Sequence, residues 1–139
     1  MFPDRSLLLL PRTRGFERLA CMDDIDAVRR VVLDYFQGWF DGDVQRMDRA
    51  LHPDLVKRSN QRHTAEKIPI VTKAAMLEYT RQGEGNADRG NGRLDIDVVD
   101  IHQDIANVIV HGGVYHEYLQ LIRIGDDWKI ANALWAYED

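Results

Sequence analysis

The stretch from Leu94 to Trp135 constrains this chain most, because it alone reads as a long series of consecutive strands. Leu94 to His102 is rich in Val and Ile, Gln103-Asp104 is turn-like, and Ile105 to His111 alternates before Gly112-Gly113, a pair suited to a two-residue hairpin. Val114 to Ile124 follows, then Gly125-Asp126-Asp127, then Trp128 to Trp135. The pattern predicts an antiparallel meander of four strands. With Ile124 opposite Trp128, Leu119 pairs with Ala133 and Glu117 with Trp135. With His111 opposite Val114, Val110 pairs with Tyr115 and Val108 with Glu117. One face then carries Val108, Tyr115, Glu117, Leu119, Ala131, Ala133 and Trp135, and the other His116, Tyr118, Gln120, Trp128, Ile130 and Asn132. Neither is plainly a water face. Two covers are expected, helices on one side and a second subunit on the other.

The 139 residues, 45% of them hydrophobic, suffice for one domain with a real core. A net charge of −5 without a Lys/Arg stripe disfavours a nucleic-acid or anionic-membrane partner and leaves a small molecule or another protein. Cys21 stands alone, which excludes an internal disulfide framework and fits a reducing, cytoplasmic setting. No apolar run approaches the ~18 residues of a membrane span. Leu7 to Leu10, ended by Pro11, falls short of the ~7 to 15 apolar residues of a secretory leader. Residues 1–21 are therefore expected to form a flexible arm ahead of a domain over residues 22–139.

Within that domain, Asp23-Asp24 can cap a helix, and Ile25, Val28, Val32, Tyr35, Phe36 and Trp39 recur at helical spacing through Phe40. Gly42 ends it and Asp43 caps a shorter helix that buries Val44, Met47, Ala50 and Leu51 before His52-Pro53-Asp54. Leu55 to Ser59 reads as a short strand and Asn60 to Lys67 as a loop. Thr72 caps a third helix over Lys73 to Arg81, burying Met76, Leu77 and Tyr79. Gln82 to Gly92, with four glycines, is expected to be a mobile connector or a lid.

Three helices followed by a curved antiparallel sheet resemble the nuclear-transport-factor-2-like superfamily, a cone-shaped α+β fold that includes ketosteroid isomerases, scytalone dehydratase and polyketide cyclases. Glu117-Tyr118-Leu119-Gln120-Leu121, a short turn and Trp128-Lys129-Ile130-Ala131-Asn132 look like the closing pattern of its lumazine-binding and polyketide-cyclase-like branch. Tyr35 through Gly42-Asp43 to Ala50-Leu51-His52-Pro53-Asp54 is similar to the family's helix-Gly-Asp-helix opening. The resemblance covers about residues 22–139 and is more specific for fold than for activity. It implies a pocket between the first helix and the concave sheet face. Ala133 and Trp135 point into it, and parity takes Glu117, Tyr115, Leu119 and Val108 with them. The convex face, with His116, Tyr118, Gln120 and Asn132, is the implied dimer surface.

The resemblance also assigns candidate roles. Tyr35 stands seven residues before Gly42, where the isomerases hold a tyrosine that donates to a developing oxyanion. The bland alternative is a core aromatic with its hydroxyl satisfied. Ser59 falls where those enzymes keep a proton-shuttling aspartate, which counts against their activity here. Glu117, expected among Val108, Leu119, Trp135 and Tyr115, is a desolvated carboxyl suited to acid/base work, or else a salt-bridge partner of Arg58 or Arg123. His52 can stabilise the end of the second helix or, turned inward, serve as an acid/base partner to Glu117. Arg58 can anchor an anionic ligand. The five histidines show no ligand spacing, so neither a metal nor another cofactor is expected. Two functions follow. One is a binding domain whose pocket, lined by Tyr35, Trp39, Val108, Tyr115, Glu117 and Trp135, holds a flat, mostly apolar small molecule. The other is a cofactor-free isomerase, dehydratase or cyclase with Glu117 as acid or base and Tyr35 as oxyanion donor.

Overall fold

A computed structural model describes residues 14–139, with side chains from Asp23 onward, so the expected N-terminal arm falls largely outside the described residues. The order is α1 (Arg14–Asp41), α2 (Val44–Ala50), β1 (Leu51–Ser59), α3 (Lys73–Arg81), a 3-10 turn over Asn86–Arg89, and then β2 (Leu94–His102), β3 (Ile105–Gly112), β4 (Tyr115–Ile124) and β5 (Asp127–Tyr137). The strands form one open, curved α+β sheet in the order β1-β5-β4-β3-β2. The predicted meander supplies β2 to β5, all antiparallel. β1 joins the edge parallel to β5, which makes the sheet mixed.

Helix boundaries follow local chemistry. α1 is already helical at Arg14, so Asp23-Asp24 lies within it rather than at its start. It stops where Gly42 takes φ +68°, a conformation that favours glycine. Asp43 then caps α2 by accepting from the Arg46 amide at 3.2 Å, and Thr72 caps α3 by accepting from the Ala75 amide at 3.2 Å. Leu51, expected on α2, is instead the fully buried first residue of β1. On α3, Thr80 rather than Tyr79 is buried, its hydroxyl donating to the Met76 carbonyl at 2.7 Å.

Two register details decide which side chains face inward. The β3–β4 turn sits one residue later than Gly112-Gly113 suggested, with Gly112 opposite Tyr115, so Val110 pairs with Glu117 and Val108 with Leu119. Each pair moves by two positions, which preserves the faces. In β5, Gln120 pairs with Asn132 and Leu121 with Ile130, leaving Ala131 as a bulge. The bulge turns Trp128 and Ile130 into the core, where the sequence reading had placed them outside. They join Val28, Val32, Phe36 and Met47 of the helices in the cluster under the concave face.

The segment after α3 is fastened rather than loose. Arg89 pairs with Asp41 at the end of α1, and a side chain at Gly113 (φ +57°) would collide with the Asp88 carbonyl. Its Glu84 and Asp88 line the cavity described below.

α1 and α2 are joined by Asp34, whose two oxygens accept from Arg49 Nε and Arg46 Nε at 2.9 Å each. The Arg49 guanidinium, with Arg46 beside it, holds the Asp34 carboxyl below the usual carboxylate range. A depressed folded-state pKa contributes stability above the unfolded value and loses it as pH falls through the folded value. Asp34→Asn is expected to cost about 1 kcal/mol at pH 7, a figure kept small because Arg49 is well exposed. Urea midpoints across acid pH should show the gap between the two proteins closing as wild-type Asp34 protonates.

Candidate functional site

Three elements meet over the middle of the sheet. α1 brings Tyr35, Phe36 and Trp39, β1 brings Lys57, and β4 with β5 bring Tyr115, Glu117 and Trp135 around a cavity of about 820 Å³. The mouth is bordered by Ile70 and Val71 of the loop before α3 and by Glu84 and Asp88 of the segment after it. An antiparallel bridge ties that first loop to β1, with Val71 N donating to Lys57 O at 2.8 Å and Lys57 N to Val71 O at 3.2 Å.

Glu117 is the centre of the polar floor. It is 2% exposed, and its Oε2 accepts the Tyr35 hydroxyl at 2.8 Å. Lys57 Nζ lies 3.5 Å from the same oxygen and also donates to the Tyr35 oxygen. The ammonium sits 4.9 Å from the centroid of the Tyr35 ring and 5.9 Å from that of Trp135, within cation–π range of both. A carboxylate in this position needs a counter-charge, and the lysine provides it. Burial pushes the Lys57 amine below its ordinary value, against the pull of Glu117. Burial first, and then the Glu117 charge, push the Tyr35 phenol well above its own, so Tyr35 stays a neutral donor.

A second chain of hydrogen bonds builds the wall. Trp39 Nε1 donates to the Tyr115 hydroxyl at 3.0 Å, and that hydroxyl donates to Asp88. Burial, followed by the bond to Asp88, raises the Tyr115 phenol far above the ordinary range. Tyr115 meets Trp135 edge to face with ring centres 5.2 Å apart. The tip of Trp39 is thereby fixed between α1, the sheet and the segment after α3.

The structure brings together five of the residues singled out in the sequence: Tyr35, Trp39, Tyr115, Glu117 and Trp135. Val108, Leu119 and Ala133 face the same way but are buried in the core rather than lining the cavity. Two sequence assignments need correction. Arg58 is exposed and registers with the outward Leu134, whereas Lys57, registered with Ala133, faces the cavity. His52 lies in β1, where its Nδ1 accepts from the Asp54 amide at 2.9 Å, and it does not line the cavity. The ion pair anticipated for Glu117 thus forms with the residue next to Arg58. Arg123, the other expected partner, holds Asp24 and Asp104. Ser59 lines the cavity with Lys57, in keeping with alternation from the buried Leu55. The same alternation, had it been carried along β1, would have found Lys57. Asp88 carries no comparable sequence signal.

The histidines also come together differently from their spacing. His111 and His116 are directly opposed on β3 and β4, and Glu138, just beyond β5, reaches both.

A curved sheet with helices laid across an aromatic cavity defines the class of protein, and comparison with solved structures agrees. The fold is similar to that of an NTF2-like protein of unknown function from Silicibacter pomeroyi, with TM-score 0.64 and 14% identity over 85% of this chain and 98% of the other. It is also similar to an NTF2-like protein with a cystatin-like fold from Novosphingobium aromaticivorans, with TM-score 0.66 and 14% identity over 94% and 92% of the two chains. An NTF2-like protein of unknown function from Shewanella baltica gives TM-score 0.63 and 11% identity over 85% and 96%. Such identities speak to the fold alone. No curated protein matches significantly in sequence. Residues 23–136 match the family described as putative lumazine-binding, and the chain belongs to that family. Among the described residues, no helix is long and apolar enough to cross a membrane.

The buried pair makes a measurable prediction. Lys57→Met strands a carboxylate and should destabilise the fold by about 3 kcal/mol, as breaking a buried ion pair does. Glu117→Gln should also destabilise it, and Lys57→Met with Glu117→Gln together should cost less than the sum of the two. Additive single effects in denaturant unfolding would show that the two groups do not interact.

Proposed function

We propose that this protein is a small-molecule-binding domain whose ligand occupies the cavity between α1 and the concave sheet face. The observation that carries this reading is a cavity of about 820 Å³ with aromatic walls and one compact polar cluster, Tyr35–Glu117–Lys57, at its floor. That volume lies within the roughly 300 to 1,000 Å³ of ordinary ligand sites. Trp39, Tyr115 and Trp135 offer ring faces and edges to a flat molecule, and the floor offers both a cation and an acceptor. A heteroaromatic ring with a polar edge satisfies both requirements, and the lumazine of the family's description is one such molecule.

The test is titration with lumazine, read by quenching of tryptophan fluorescence, alongside native mass spectrometry of the protein as purified. Saturable binding weakened at least about tenfold by Lys57→Met is the expected result, a loss consistent with removing a charge-assisted contact. A reproducible bound mass that is not lumazine would keep the pocket and replace the ligand. No retained mass and no saturable binding would count against the reading.

One observation favours a second reading, proton-transfer catalysis. Tyr35, Glu117 and Lys57 form an unbroken hydrogen-bonded chain in a desolvated site. The Tyr35 proton is committed to Glu117, so the phenol can serve an oxyanion only once a substrate displaces that bond. Glu117→Gln separates the readings, since an enzyme loses turnover while still binding and a binder changes affinity alone.

A homodimer through the outer sheet face belongs to the same proposal. Tyr118 is 52% and Leu134 49% exposed there, beside a hydrogen-bonded row of Asn107, Gln120 and Asn132 and next to His116. Light scattering should give twice the chain mass for the wild type and a single chain mass for Tyr118→Glu. A wild-type monomer at high concentration would remove the dimer. A cytoplasmic setting is also part of the proposal and is supported by the single cysteine.

A further inference from the structure

Away from the cavity, the outer end of the sheet gathers His111, His116 and Glu138 so that one ligand atom from each lies within 4.8 Å of the others. The two imidazoles come from directly opposed positions on β3 and β4, with ring centres 4.3 Å apart. The carboxylate is positioned by a backbone bond, Glu138 N to Val114 O at 2.8 Å, which fastens the end of β5 to the β3–β4 turn. His111 Nδ1 lies 3.0 Å from Glu138 Oε1, and His116 Nδ1 lies 3.7 Å from Glu138 Oε2. Ligand bonds of ~2.0 to 2.1 Å in a tetrahedron place donor atoms about 3.3 Å apart, and the two separations, one to each carboxylate oxygen, lie on either side of that figure.

His116 adds an independent observation. Its Nδ1 is too far from Glu138 for a hydrogen bond, and its Nε2 is the one buried side-chain polar atom among the described residues with no hydrogen-bond partner. Among the described residues neither ring nitrogen has a hydrogen-bond partner, and the Nδ1 edge is the one turned to Glu138. A divalent ion at Nδ1 would take that edge and leave the buried Nε2 as it is, and β-sheet pairing has already set the two rings opposite each other.

We propose that His111, His116 and Glu138 form a binding site for a borderline transition-metal ion, Zn²⁺ being the reference case, on the outer face of the sheet. Two imidazoles and a carboxylate suit Zn²⁺, Ni²⁺ or Cu²⁺ and are a poor set for Mg²⁺ or Ca²⁺, which prefer oxygen. In the single chain all three side chains are about one-third exposed, so water completes the coordination provided that the proposed outer-face interface stops short of His116. The site shares no residue with the cavity and does not depend on what the cavity binds.

The test is calorimetric titration of the full chain with ZnCl₂, repeated with MgCl₂. One Zn²⁺ per chain should bind, with no heat from Mg²⁺. His111→Ala and His116→Ala should each weaken binding by at least about tenfold, the minimum expected when even an outer partner of a ligand is lost. His63→Ala should leave it unchanged. Thermal unfolding of each variant without metal checks that it folds, and added Zn²⁺ should raise the midpoint of the wild type but not of the histidine variants. Zn²⁺ affinity that survives both histidine substitutions, or that is lost on His63→Ala, overturns the assignment, as does a wild-type chain that binds no Zn²⁺.

Discussion

A carboxylate on the inner face of a packed sheet has to be compensated, and the arrangement around Glu117 follows from that requirement. The acid is 2% exposed, and its two partners come from elements far away in sequence: Tyr35 on α1 and Lys57 on β1. Neither partner reaches it unless α1 lies across the sheet and β1 is paired beside β5. The same contacts that neutralise the charge therefore fix the helix over the sheet. They also leave the cavity open above the pair, because aromatic side chains from α1, β4 and β5 hold its sides apart.

β5 is the strand through which these demands are reconciled. It lies between β1 and β4, with a parallel neighbour on one side and an antiparallel one on the other. Its bulge at Ala131 allows one strand to serve two layers. Ahead of the bulge Trp128 and Ile130 fill the core beneath the helices, and beyond it Ala133 and Trp135 face the cavity end. Without the extra residue, period two would send one of those pairs outward. Ala133 is the β5 residue that registers with Lys57.

Much of this was legible in the sequence, and the failures have identifiable physical causes. The meander, the caps at Asp43 and Thr72 and the shared face of Tyr115, Glu117 and Trp135 followed from turn chemistry and alternation, while the inward direction of that face came from the family resemblance. An error of one residue in the β3–β4 turn did no harm, since it moved partners by two and kept their faces. The bulge at Ala131 carries no glycine or proline to announce it, so Trp128 and Ile130 were assigned to the wrong side. Arg58 was singled out for its guanidinium, whereas alternation from Leu55 puts Lys57 on the inner side. The parallel pairing of β1, the Asp88 contact and the approach of Glu138 to His111 and His116 all join distant segments, and no local pattern encodes them.

The pairing of β1 with β5 also sets when the site can exist. Lys57 registers with Ala133, whereas the hairpin contacts of β3 with β4 and β4 with β5 span far fewer residues. Closing the longer loop costs more chain entropy, so the hairpins have the advantage in forming first. Until β1 docks, Glu117 faces an incomplete floor and the cavity lacks a side. Assembly of the pocket is therefore tied to long-range docking that the hairpins do not need, and a chain stalled before β1 docks has part of the sheet but no complete binding site.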